Sequence, residues 1–188
     1  MGIFKNEVTF PQFCEYGFNT WEKHYIPHKN EYTSAAIEAA GLTGKFIPTM
    51  EQVNFLWTDL EYLHNYLIMV YAYYYFSGKH SSEDISYVVG QKYVHFLLMG
   101  LRKESKASAE KTMDDFIKYF DEIEAKTSNI DDTKAMSADS MATFGVMVLS
   151  DRVKTKMPNL DDTVLKYLVQ RVWAAGESGY SSAKVVWQ

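Results

Sequence analysis

The sequence predicts an all-α fold, a single-domain helical bundle of six to seven helices. Three observations predict it. Apolar residues recur at helical spacing, as in Met113, Phe116, Ile117, Phe120 and Ile123. Strand-like alternation is confined to the closing residues "AKVVWQ". No low-complexity linker divides the 188 residues. At that length one domain hides about 70% of its unfolded surface and needs no disulfide or metal staple.

Each element has its own signals. Pro11 suits a first helical turn, and that helix runs to about Tyr25 before Pro27 interrupts it. A shorter helix covers 32–40 and stops at Gly41. Thr49 with Gln52 three residues later reads as a capping box, and it opens a long helix, 50–76, free of Gly and Pro. This aromatic-rich helix is expected at the centre. "SGKH" ends it, Ser81 or Ser82 caps the next, and that one closes near Lys103. Ser108 precedes the helix carrying the 113–123 repeat. A helix over 132–156 is apolar almost all round, hence buried. Asn159, with Asp161 and Asp162 behind it, starts the last helix, which ends at Gly176. The tail 177–188 is rich in Gly and Ser, yet Val185, Val186 and Trp187 suit docking on the bundle or on a neighbouring subunit.

Composition excludes several function classes. The net charge is −5, from 24 acids and 19 bases; composition gives no sign of a phosphate-neutralising patch, and nucleic acid is not an expected partner. Cys14 is the single cysteine, which forbids an intrachain disulfide and makes the cytoplasm the default compartment. "MGIFKNEVTF" lacks the apolar stretch of a secretory signal. The longest apolar-aromatic run, Tyr66 to Phe76, falls short of the ~20 residues a bilayer requires. The expectation is a soluble cytoplasmic protein with no membrane partner. The aromatic share, 15%, is the unusual number, because large amphipathic rings either thicken a core or line a surface meant for a partner.

The candidate site lies on 50–76. On a helical wheel Val53, Trp57, Leu60, Leu67, Ile68, Tyr71 and Tyr75 fall within about 60° of His64. Glu51, Asn54, Thr58 and Asn65 form a polar stripe to one side, with Glu61 at its border. His64 therefore points to the centre of the apolar face. His95 stands at the same height on the following helix, each histidine lying ~20 Å from the turn. It shares a narrow stripe with Asp84, Gln91 and Arg102, a pattern that meets water or lines an internal cleft.

These features lead to an expected function: a non-enzymatic small-molecule-binding or regulatory protein. Its aromatic-lined pocket near His64 would take a small amphipathic or aromatic ligand through His64, Trp57, Ile68, Tyr71, Tyr75 and His95. Two alternatives stand beside it. One is an interaction module whose exposed tyrosines and tryptophans form a homo-oligomer or partner interface. The other is a haem or iron protein using His64 with Glu61 or His95; Glu61 and His64 have Glu-x-x-His spacing, but no second such motif exists in the chain. The echo "NIDDT" (129–133) and "NLDDT" (159–163) reads as Asn-capped helix starts with acids in the first turn. No motif identifies a catalytic residue, a resident metal or a cofactor. Cys14, among Phe13, Tyr16 and Phe18, reads as a small buried residue.

Overall fold

The computed structural model describes residues 7–76, 78–127, 138–180 and 184–187. In chain order they form β1 (Glu7–Thr9), α1 (Phe10–Thr20), a π-helical turn π1 (Trp21–Tyr25) and α2 (Lys29–Ala39). Then come α3 (Met50–Phe76), α4 (Ser82–Gln91) and a second π-helical stretch, π2 (Lys92–Leu101). α5 (Lys106–Thr127), α6 (Ala138–Lys156), α7 (Asp162–Tyr180) and β2 (Lys184–Val186) complete the order. The chain is an all-α bundle, with one two-stranded parallel sheet among the described residues.

Local chemistry accounts for most helix starts. The Thr49–Gln52 capping box is formed, with Thr49 N–H donating to Gln52 Oε1 at 2.9 Å and Gln52 N–H to Thr49 Oγ1 at 3.2 Å. Thr9 and Gln12 build the same device at α1. Ser81 caps α4, its Oγ accepting from Asp84 N–H.

Four boundaries differ from the sequence reading. α2 begins at Lys29, ahead of the expected 32. Ser105, not Ser108, caps α5, because Ser105 Oγ accepts the Ser108 N–H at 3.2 Å. Asp161, not Asn159, caps α7, through Thr163 N–H to Asp161 Oδ1 at 2.7 Å. α7 also runs through Gly176 to Tyr180: one interior glycine costs only about 1 kcal/mol against alanine, which helix packing readily offsets. The residues 132–137 and the "NIDDT" copy lie outside the described residues.

One hydrophobic cluster draws residues from every helix, with α3 inside it. Glu51, Asn54 and Thr58 face out, but from Asp59 to Asn65 the helix is buried on all sides. Asn65 of the polar stripe, Glu61 at its border and Asp59 on the other side of the helix are therefore all inside the bundle.

Gly145 is the closest approach in the core. A Cβ there would lie 2.5 Å from Val169 Cγ1 on α7 and 3.4 Å from Leu63 Cδ2 on α3. Gly145→Ala is therefore expected to cost about 1–3 kcal/mol of unfolding free energy by overpacking. Combined with Val169→Ala, the two costs should sum to less than their separate values in denaturant melts.

Residues 184–187 of the tail are docked. Strand β2 pairs in parallel with β1, Val8 opposite Val185, and Trp187 lies against the bundle.

Candidate functional site

His64 is turned inward, 1% exposed, as its place on the wheel requires. Its ring centre lies 5.0 Å from that of Trp21 and 6.2 Å from that of Tyr25, both on π1. Trp21 in turn stacks on Tyr25 at 5.1 Å and sits 5.7 Å from Trp57. These are packing distances for aromatic pairs, so the protein's own rings fill the space on that side of the imidazole. Burial lowers the His64 pKa to about 4, only partly offset by the Asn65 side chain, and the ring is neutral at pH 7. Trp57 is fixed by its indole N–H, which donates to Thr33 Oγ1 at 2.9 Å.

The other expected ligand-binding residues scatter. Ile68 is wholly buried, and Tyr71 and Tyr75 are half-buried against the core, with Tyr75 edge-on to Phe13 at 6.4 Å. Trp57 and Tyr75 stand about 27 Å apart along α3, too far to line one small cavity. His95 is exposed on π2 and belongs to a separate surface groove.

Glu61 has partners other than His64. Its carboxylate accepts from Arg102 Nη1 at 3.1 Å, Arg102 Nη2 at 2.8 Å and the Tyr93 hydroxyl at 3.0 Å. Arg102 Nε also donates to Glu22 on π1 at 3.0 Å. The π2 stretch explains why Arg102 leaves the stripe it shares on paper with His95. Bonds that reach back five residues, as from Arg102 N–H to Leu97 C=O at 2.9 Å, take in an extra residue and rotate the positions downstream of it. Burial alone would lower the Arg102 pKa, but the Glu61 and Glu22 carboxylates outweigh it and hold the cation firmly charged.

A second ion pair on α3 escaped the sequence reading. Asp59, equally buried, accepts from Arg152 Nε of α6 at 3.4 Å, while Arg152 Nη1 donates to Glu122 of α5 at 3.0 and 3.2 Å. Burial raises the Asp59 pKa to about 6 despite the guanidinium. Among the described residues no group of three His, Cys, Asp or Glu side chains could hold a metal ion. Nor is any described helix long and apolar enough to cross a membrane. Cys14 is buried as expected, and burial pushes its thiol well above the ordinary value.

The surface groove has a volume of about 290 Å³ and runs along the junction of α4 and π2, facing α5. Gly90 leaves room for the methyl of Met113, only 2.9 Å from where a Cβ would be. Val94 continues the apolar floor, and Ser86, Gln91, His95 and Tyr87 supply hydroxyl, amide, imidazole and phenol groups around it. Tyr87 is 68% exposed. A buried glycine within an apolar helix was the available signal for this groove, but α5 could not be matched to it without the packing. No family model, curated protein or solved structure matches the chain.

Proposed function

We propose that the protein is a non-enzymatic binding protein whose site is the groove beside His95, and that its ligand is a small amphipathic molecule with one aromatic or aliphatic body. The observation that carries this reading is the position of the groove: it lies where an α-helix passes into a π-helix, over a glycine floor. Such π irregularities recur at functional sites, because they expose backbone and re-aim side chains at a cost in regular bonding. Support also comes from the mixed lining, an apolar floor of Gly90, Val94 and Met113 under a few polar groups, which suits a ligand with one hydrogen-bonding edge. The volume admits about one ring system. Of the residues expected from sequence, His95 is the member retained in this proposal, and His64 becomes part of the scaffold.

Methyl NMR tests it. A library of small aromatic and amphipathic compounds is expected to yield binders that move the Met113 methyl and the His95 ring signals. Gln91→Trp, which crowds the exposed rim and leaves the Gly90–Met113 contact untouched, should abolish those shifts while leaving the rest of the spectrum in place. If no compound in a broad library moves Met113, the ligand reading fails. A protein-interface reading is favoured by one observation, the exposure of two large apolar side chains near the groove: Tyr87 in its lining, and Ile117, 46% exposed and one turn beyond Met113 on α5. A concentration-dependent dimer broken by Tyr87→Asp, with no small-molecule binder, would support that reading instead.

A further inference from the structure

The geometry points to a second site, independent of the groove: β1 and the aromatic nest beside it recognise an extended Lys-Val-Val-Trp segment, and the segment of a second copy of this chain occupies them in exchange for the chain's own. The site is defined by what fills it. Residues Lys184–Val186 lie in parallel register on Glu7–Thr9, with Glu7 opposite Lys184, Val8 opposite Val185 and Thr9 opposite Val186. An ion pair joins Lys184 to Glu7. The next residue, Trp187, stacks on His80 at 3.8 Å and on Phe10 at 5.2 Å, and meets Phe76 edge-on at 5.2 Å. Phe10 and Phe76 are themselves buried.

This is strand addition with an aromatic anchor: backbone bonds set direction and register, and one half-buried ring packed among three others sets specificity. The recognised pattern is basic, apolar, apolar, aromatic. Strands of three residues are too short to hold by ladder bonds alone, so the indole carries most of the attachment and the strap opens locally without unfolding the bundle. Three residues of sequence, 181–183, join α7 to the strap, and a short connection favours exchange between copies. The opened site and the freed segment are complementary, so two opened chains satisfy each other with the contacts each has just lost.

The test uses the full chain carrying Trp187→Ala and a synthetic peptide of residues 180–188. The peptide is expected to shift the amide signals of Glu7 to Phe10 in this variant, and to bind the unaltered chain at least ten-fold more weakly, because a tethered segment competes at roughly millimolar effective concentration. A peptide lacking the tryptophan should not bind. Absence of shifts at Glu7–Phe10 up to millimolar peptide in the folded variant overturns the site. Exchange is read with Val8→Cys and Val185→Cys in one full chain, mixed as two tagged forms and oxidised. Covalent dimers between tags that increase with concentration support exchange, whereas intrachain cross-links alone at every concentration overturn it. This second reading holds even should Trp187→Ala fail to fold.

Discussion

Replacing Arg102 with methionine is expected to lower the unfolding free energy by about 3–5 kcal/mol, the usual consequence of leaving one member of a buried ion pair without its partner. Glu61 sits deep in the bundle and takes two of its three hydrogen bonds from this one guanidinium. The methionine fills much of the volume but supplies no charge, so the carboxylate must either remain buried unpaired or take up a proton. Urea unfolding checks the loss, and a second substitution locates its cause. Adding Glu61→Leu to Arg102→Met should recover most of the stability, since an apolar pair of similar volume often matches a buried salt bridge. If the double variant is as unstable as the single one, the loss comes from helix packing and not from the stranded carboxylate. Arg152→Met is the comparison. Asp59 already binds a proton near pH 6, and losing the guanidinium raises it further, so this carboxyl escapes by neutralising and the cost should be smaller.

The second large effect is a pH dependence that the intact protein conceals. Asp59 is raised from 3.8 to about 6, so the folded state holds its proton more tightly than the unfolded state. The resulting stabilisation is complete below about pH 3.8 and is lost as pH rises through 6. His64 behaves in the opposite sense. It is lowered from 6.5 to about 4, so its stabilisation is complete above 6.5 and is lost as pH falls through 4. At about 1.36 kcal/mol per pH unit each displacement corresponds to roughly 3 kcal/mol. The two contributions run against each other across nearly the same window and almost cancel. Relative to the unaltered chain, Asp59→Asn should lose about 3 kcal/mol more between pH 6.5 and 4, and His64→Leu should gain about 3 kcal/mol over that interval. Urea melts at pH 4, 5, 6 and 7 provide the difference curves. Differences that stay flat with pH would show that neither group titrates as its burial requires.

Much of the architecture was legible because it rests on local chemistry. Thr49–Gln52, Pro11 and Gly41 punctuate the chain through groups within a few residues of one another, and the helices form between them. The inward turn of His64 was legible for the same reason: seven apolar neighbours on one wheel leave it no other direction. The features beyond reach depend on partners distant in sequence. Nothing local to Asp59 or Glu61 announces a partner: Arg152 and Arg102, which α6 and π2 bring to them, stand 93 and 41 residues away. The wheel also assumes a constant angle per residue, and π2 breaks that assumption, so Arg102 turns inward while His95 remains outside. A pocket at His64 was expected because an imidazole among apolar residues suggests space, but rings contributed by π1 occupy that side. Asn159 and Ser108 show the limit of capping rules where several capable side chains stand within three residues.

The wide coil between Lys92 and Leu101 has one further consequence. It lets a single continuous rod carry two angular settings, one for the groove lip at Gly90–His95 and another for the anchor at Arg102. Side chains upstream and downstream of it need not obey a common periodicity, so the lining of the groove and the clamp that secures the interior are free to diverge independently, although fewer than a dozen residues separate them.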